Sequence, residues 1–439
     1  MTEPTKPTRR SAVGPVCLVD YEVGGPVPEP QPHTSDGRPY ARAAVAVRVH
    51  GELIGIYDMP IDGPPDGATL ARFATAALQQ RIDEHLQADG LRPGMLRNGS
   101  PPRCLRDHAR FLERAPFVSV IIATRDGEAT LGDCLDSLLA LEYSAFEVIV
   151  VDNASRGDGV RELVARYGDE RVPIRYVREE RPGLAVAHNC GLEHAAGAIV
   201  AFIDDDVIAD RRWLAQVGKA FEAAPDVGCV TGLIAPAELE SRAQLLTEGY
   251  WGFGKGFERR VYDRRKPPGQ PLYPFTAGVF GSGANMSFRA DALRELGGFD
   301  PGLGTGSPAQ GGDDLAAFFG IIEAGHRLVY EPTAMVRHRH RREYEALERQ
   351  AYGYGVGLTA YLAKTLMDDP RRTMRLALRA PQALAHILHP SSPKNATLPE
   401  DVPVELQRRE RRGMLVGAFI YARTRRSRQR LYPRLDAIG

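Results

Sequence analysis

Cysteine is scarce in this chain of 439 residues: there are five, an odd number, and no two form a CxxC pair. Cys17, Cys104, Cys134, Cys190 and Cys229 therefore predict neither a disulfide framework nor a thiolate zinc site, and a reducing, cytoplasmic compartment fits them. Net charge is missing too. Lysine plus arginine number 56, as do aspartate plus glutamate, so bulk charge draws the chain to no nucleic acid or membrane, and no nucleic-acid partner is expected. No apolar run approaches the roughly 18 residues that a spanning helix needs. The opening MTEPTKPTRRSAVGP has no apolar stretch after its charges, so residues 1–16 read as a disordered tail and not as a secretory signal.

What is present is enough apolar residue, 43%, to bury sizeable cores in two or three folding units. Residues 17–95 read as a small α+β module. ARAAVAVRVH and ELIGIYDMPI are strand-like runs that form a hairpin-like pair. From Ala68 to His85, helical spacing puts Leu70, Phe73, Ala74, Ala77, Leu78 and Ile82 on one face. No catalytic residue types cluster there, so a packing or docking role is expected. Residues 96–115, rich in Pro, Gly and Arg, read as a linker.

Residues 116–345 change character. FVSVIIAT, FEVIVVDNAS, IRYVRE and AIVAFIDDD are strand-like and alternate with helical segments, which predicts a mostly parallel, doubly wound sheet. Ligands of such sheets bind beyond the carboxyl ends of the strands, where Thr124-Arg125-Asp126, Asp152-Asn153 and Asp204-Asp205-Asp206 fall. Alternation turns Asp204 and Asp206 one way and Asp205 another. Three adjacent carboxylates repel one another, and a hard divalent cation such as Mg²⁺ or Mn²⁺, which prefers oxygen ligands, supplies the missing charge. Asp152 suits a base or ribose contact, or else a helix cap. Asp313 and Asp314 follow a glycine-rich loop at a helix start, where a carboxylate is stabilised and can act as a general base. His338 and His340 alternate along an extended segment and share a side; they are either metal ligands or part of a basic surface strip.

Taken in order, VSVIIATRD, EVIVVDNAS, RPGLAVAHNCGLEHAAGAIVAFIDDDV, GSGANMSFRADALRELGGFD, GGDDLAAFF and EPTAMVRH resemble the family-two inverting glycosyltransferases of the GT-A fold. The resemblance covers about residues 116–345. It implies a nucleoside pocket lined by Thr124, Arg125 and Asp126, with Asp152 at the base and Asn153 and Asn189 on the donor side. It implies a DxD motif of Asp204 and Asp206, with Asp205 beside it and His338 on the metal. It places the catalytic pair at Asp313 and Asp314, with Asp314 as the base. The implied donor is a UDP-, GDP- or dTDP-sugar, the implied cofactor Mn²⁺ or Mg²⁺, and the acceptor a hydroxyl compound. The chain departs from the family's pattern at His188, Asp313, Ala316 and Gly320.

Residues 346–439 read as a helical, Arg-rich extension. EYEALERQAYGYGVGLTAYLAKTL has helical spacing, carries Tyr344, Tyr352 and Tyr361, and is expected beside the acceptor cleft. From Arg408, arginines flank MLVGAFIYA. That segment is either a surface helix in peripheral contact with an anionic membrane or a helix packed on the enzyme with solvated arginines. Two rival functions remain at this level: a nucleotidyltransferase, for which ATRDGEAT is poor in glycine and basic residues, and a sugar-nucleotide fold kept as a binding or scaffold protein.

Overall fold

The computed structural model describes residues 14–168, 171–268, 272–378 and 402–431. Most of the expected tail, and the stretch from Arg379 on within MRLALRAPQALAHIL, lie outside the described residues.

The apolar runs form a nine-stranded sheet. Its strands are β4 (Val118–Thr124), β5 (Phe146–Asn153), β6 (Ile174–Glu179), β7 (Ile199–Asp204), β8 (Val207–Ala209), β9 (Val227–Pro236), β10 (Arg260–Tyr262), β11 (Met286–Arg289) and β12 (Arg327–His338). The order is β10-β12-β9-β11-β7-β4-β5-β6, with β8 paired to β12. β6, β5, β4 and β7 run parallel, whereas β11 lies antiparallel between β7 and β9. β5 and β9 are buried along their whole length, because helices cover both faces of a parallel sheet and leave no strand position for a polar, solvated side chain. One apolar core lies on each face, with Trp213, Phe146 and Leu135 on one side and Phe202, Phe288, Phe318 and Tyr330 on the other.

The N-terminal unit contains β1 (Val16–Glu22), β2 (Arg42–Val49) and β3 (Glu52–Pro60). The hairpin is β2–β3, closed by a two-residue turn of His50 and Gly51, both with positive φ (53° and 77°). β1, which shows no clear alternation, adds in parallel to β2. The expected single helix over Ala68–His85 is two helices, Gly67–Ala77 and Gln79–Ala88. Leu78 leaves helical geometry at φ −104°, ψ 10°, which rotates the apolar face, so Leu70, Ala74, Ile82 and Leu86 are buried while Phe73 is exposed. The stretch read as a linker contains a helix, Arg103–Leu112, whose Phe111 is buried against Gly218.

The unit sits on the nine-stranded sheet. Ala46 and Leu53 pack with Leu233, Ala235 and Met335, and Arg337 on β12 pairs with Asp20 on β1 at 2.7 Å. At the other end, the long helix Tyr344–Asp368 is crossed by the helix Val404–Leu431. Their backbones touch through glycines: a Cβ on Gly413 would lie 2.2 Å from the Tyr352 carbonyl oxygen, and one on Gly417 2.2 Å from that of Val356. Among the described residues no helix is long and apolar enough to cross a membrane.

This crossing yields a stability prediction. Gly413→Val must push the two helices apart, and overpacking of this kind costs about 1–3 kcal/mol. The variant is expected to melt below wild type in a thermal scan. An unchanged midpoint would show that the C-terminal helix is not held against its partner.

Candidate active site

β7 ends at Asp204, and β8 begins three residues later, so Asp205 and Asp206 form the turn between them. The expected alternation holds in this turn. The Thr124 hydroxyl, at the end of neighbouring β4, donates to Asp205 Oδ2. Asp204 and Asp206 turn the other way, toward His338 at the end of β12, which pairs opposite Val207. His338 Nε2 lies 3.3 Å from Asp206 Oδ1 and 3.9 Å from Asp204 Oδ2. The three side chains gather their oxygen and nitrogen atoms as ligands of one cation would. The Arg339 N–H donates to the Asp206 carbonyl at 3.1 Å and fixes the turn.

Proton bookkeeping sharpens the site. Glu248 lies 3.2 Å from His340 Nε2, and a carboxylate can only accept, so the His340 proton sits there. His340 Nδ1 then offers its lone pair to His338 Nδ1–H, 3.1 Å away. His338 is left with an unprotonated Nε2 aimed at two carboxylates. Burial, followed by the charges of His340 and Arg341, pushes its pKa down to about 3, which keeps the ring neutral. Asp206 Oδ1 is buried without a hydrogen bond. Three electron-rich groups facing one another fit a divalent cation.

Electrostatics extend the site to the second acidic pair. Burial, then Asp206, Asp205, Asp313 and Asp314, raises Asp204 far above the ordinary carboxylate range. Burial raises Asp205 to about 6, with the Thr124 hydroxyl opposing. Gly312, in the left-handed region at φ 86°, starts the helix Asp313–Glu323. Asp314 there accepts the Gly283 N–H at 3.0 Å and the Leu315 N–H at 2.8 Å, which hold its carboxylate against the loop carrying GSGANMSF. Asp313 lies deeper, 3.7 Å from His188 Nδ1, and burial followed by the charge of Asp314 pushes it up to about 7.

The other expected donor-side residues are spread along the same edge. Arg125 is exposed, and Asp126, at φ 52°, donates its N–H to Ser155 and accepts that of Arg156. Asp152 is fully buried, and its carboxylate accepts from Ser155 N, Tyr176 OH and Arg178. Asn153 clamps the turn before the helix Leu184–His194, accepting the Gly183 N–H and donating to the Arg181 carbonyl, both at 2.8 Å. Asn189 likewise brackets the backbone of Phe299, with two 2.8 Å bonds.

Several groups here carry no signal in the sequence. Lys255, from an irregular loop, lies within the field of Glu248 and Asp314; burial depresses its pKa and those two charges oppose the shift. Trp251 stands edge-on between Tyr250 and Tyr354, with ring centroids 4.5 and 5.1 Å away. Tyr354 accepts from Gln350 at 2.8 Å, and its hydroxyl is raised by burial and by the charges of Asp314 and Asp204, which places it at the same centre. Trp251 Nε1 and Gln350 Oε1 are buried without hydrogen bonds.

The mostly parallel sheet, with polar tips on one edge and an acidic turn after β7, is the mixed α/β architecture expected of a GT-A fold. Residues 119–297 match the model of glycosyl transferase family 2, and the chain's sequence relatives include several named glycosyltransferases. A glucosyl-dolichyl phosphate glucuronosyltransferase of Haloferax volcanii is 28% identical over 267 residues, which cover 57% of this chain and 80% of the relative. A pre-mycofactocin glycosyltransferase of Mycobacterium tuberculosis is 30% identical over 279 residues, 62% of this chain and 52% of the relative; the chain thus spans about half of that protein's length. A solved mannosyltransferase from Pyrobaculum calidifontis, in complex with GDP-Man and Mn²⁺, aligns with a TM-score of 0.44 at 22% identity, over 75% of this chain and 88% of that one.

Asp313 generates a pH prediction. In the unfolded chain an aspartate ionises near pH 3.9, whereas folded Asp313 holds its proton to about 7. The unfolded state therefore gives up its proton first, and in metal-free wild type the stability that Asp313 contributes is lost as pH rises from about 4 to about 7. Asp313→Asn removes this loss. In metal-free protein its melting midpoint should exceed that of wild type above about pH 7, and the two should converge near pH 4. The same gap at both pH values would contradict the buried, protonated state of Asp313.

Proposed function

We propose that this glycosyltransferase moves a sugar, with inversion, from a nucleoside diphosphate sugar (UDP-, GDP- or dTDP-linked) to an acceptor hydroxyl, with Mn²⁺ or Mg²⁺ held by Asp204, Asp206 and His338. The observation that carries this reading is the unprotonated His338 Nε2 set against two carboxylates. About a third of the Asp204 side chain, 35%, stays exposed, so a ligand can reach the cluster from outside. When bound, the cation serves as a Lewis acid that neutralises the diphosphate as it leaves.

The remaining roles fall to the chain's own groups. Thr124, Arg125, Asp126 and Asp152 border the nucleoside, and Asn153 and Asn189 hold the turns around it. Asp205 stays with Thr124 and steers the turn. Asp314 takes the proton from the acceptor hydroxyl while that oxygen bonds to the anomeric carbon and the carbon–phosphate oxygen bond breaks. Inversion follows from the resemblance, which supplies one base and no second carboxylate nucleophile. Asp313 positions Asp314 from behind. Trp251 and Tyr354 offer aromatic surface for a sugar ring, and the two unpartnered atoms, Trp251 Nε1 and Gln350 Oε1, offer it a donor and an acceptor.

The acceptor side extends to the C-terminal helix. Leu415 and Phe419 are 84% and 70% exposed on its outer face, with Arg408, Arg411, Arg412, Arg423 and Arg426 also exposed around them. An apolar pair ringed by arginines suits an anionic membrane surface, where each basic residue contributes about 1 kcal/mol. One relative is named for action on glucosyl-dolichyl phosphate, consistent with a membrane-borne acceptor here.

Assays with the three donor classes and Mn²⁺ test the reading. Asp314→Asn should lower transfer about 10²–10⁴-fold while donor binding persists, and Asp204→Ala should lose metal-dependent donor binding. Full turnover in excess EDTA, or a product with the donor's anomeric configuration by NMR, would reject it. The membrane contact is tested separately. Leu415→Ser/Phe419→Ser leaves the buried face of the helix intact and should abolish sedimentation with anionic liposomes at low salt. Equal sedimentation of wild type and variant would sink the contact.

A further inference from the structure

A second cluster of ligand-type side chains lies far from the active-site aspartates, in the N-terminal unit. His50 from the β2–β3 turn, His85 and Asp89 from the end of the helix Gln79–Ala88, and Cys104 from the start of the helix Arg103–Leu112 bring one nitrogen, nitrogen, oxygen and sulfur atom within 4.8 Å of one another. We propose that these four residues hold a structural zinc ion that fastens the hairpin, the helix pair and the segment leading into the catalytic domain.

The spacing of these atoms suits four-coordinate binding, with three edges in the tetrahedral range. Zinc–nitrogen, –oxygen and –sulfur bonds of about 2.0–2.3 Å imply ligand-to-ligand edges of about 3.3–3.8 Å in a tetrahedron. His50 Nδ1 lies 3.4 Å from both His85 Nε2 and Cys104 Sγ, and His85 Nε2 lies 3.4 Å from Asp89 Oδ2. Asp89 Oδ2 is somewhat nearer to His50 Nδ1 and Cys104 Sγ, at 2.9 Å each.

The outer contacts orient each ligand inward. His50 Nε2 faces the Leu96 carbonyl at 2.8 Å; a carbonyl only accepts, so that nitrogen carries the proton and Nδ1 presents a lone pair to the cluster. His85 Nδ1 faces the Glu52 carboxylate at 3.7 Å, which turns Nε2 inward in the same way. Asp89 uses Oδ1 to accept the Cys104 N–H at 2.7 Å and leaves Oδ2 for the centre. One carboxylate and one thiolate balance the charge of a divalent ion. Binding breaks the Cys104 S–H bond, sends its proton to solvent and forms the metal–sulfur bond.

A cysteine–histidine–aspartate catalytic relay does not fit. Asp89 touches both the sulfur and the histidine nitrogen that faces it, while the far side of the His50 ring is taken by a carbonyl. The His50, His85 and Asp89 side chains are 7%, 13% and 4% exposed, so the cluster is largely shielded from solvent. The absence of a CxxC pair does not exclude this site, because only one of its ligands is a cysteine.

The test uses the full chain and its Asp204→Ala variant, which empties the active-site cluster of its own cation. Elemental analysis of both should find about one zinc per chain after purification, and Cys104→Ser should retain at least about tenfold less. Cobalt exchanged into wild type should show intense tetrahedral visible bands and a thiolate-to-cobalt charge-transfer band, the latter lost in Cys104→Ser. If that variant does not fold, the charge-transfer band of the wild type decides alone. Metal-free protein after zinc supplementation, with His50 doubly protonated and ion-paired to Asp89, would overturn the proposal. A cobalt spectrum without a thiolate band would overturn it as well.

Discussion

Five carboxylates, those of Asp204, Asp205, Asp206, Asp313 and Asp314, lie close together and partly or fully buried, and the other four together raise the cost of ionising Asp204. Such a cluster is tolerated only where positive charge or fixed N–H dipoles meet it. The surrounding fold supplies them one by one. Adjacent β4 brings the Thr124 hydroxyl to Asp205. The loop before β11 and the first turn of the Asp313–Glu323 helix give two N–H groups to Asp314. Arg341 and Arg339 oppose the rise at Asp206. Among the described residues no such partner reaches Asp204, whose ionisation is disfavoured by burial and by the other four carboxylates, so a cation has much to gain there.

The histidine that completes the cluster sits at the end of a twelve-residue strand, and the accessory parts of the chain brace that strand. Met335 is buried against Ala46 and Leu53 of the N-terminal unit, and Arg337 pairs with Asp20. Beyond the strand, Arg339 reaches Asp133, and Glu248 sets the tautomer of His340 and so that of His338. The chain then turns into the long helix that carries Tyr354 back to the site. Its close crossing with the C-terminal helix, together with the Tyr250–Glu410 hydrogen bond, fixes the loop that holds Trp251 and Lys255. The flanking regions are thus mechanically continuous with the chemistry.

This arrangement also explains what could be read beforehand. Strand alternation is a local rule, so the split between Asp205 and the pair Asp204/Asp206, and the shared side of His338 and His340, follow from residues two apart. Helix breaks and loop contacts are not local in that sense. The turn at Leu78 has no proline or glycine to announce it, and the Arg103–Leu112 helix hides among residues rich in Pro and Arg. Lys255, Trp251 and Tyr354 come from a loop and one turn of a helix that share no period with the acidic motifs. His50, His85, Asp89 and Cys104 are spaced 35, 4 and 15 residues apart, and only the hairpin turn and two helix ends make them neighbours.

The departures from the family's pattern prove to be linked in space. His188 and Asp313, 125 positions apart in the chain, face each other with 3.7 Å between Nδ1 and Oδ2. The imidazole is walled in by Phe202 and Phe299, each with its ring centroid 5.0 Å away. An arginine and a longer acid at these positions would place a full ion pair against that aromatic wall, and a guanidinium cannot shed its charge. The smaller pair can. Burial pushes His188 down to about 3 and Asp313 up to about 7, so near neutrality the imidazole is uncharged and the acid keeps much of its proton. Gly320 fits the same logic, since the Leu296 side chain fills the space beside it, 3.1 Å from where a Cβ would stand. The His188–Asp313 pair thus leaves little charge behind Asp314. The remaining groups, Asp314 and the Asp204–Asp206–His338 cluster, are those to which the proposed function gives the acceptor proton and the cation.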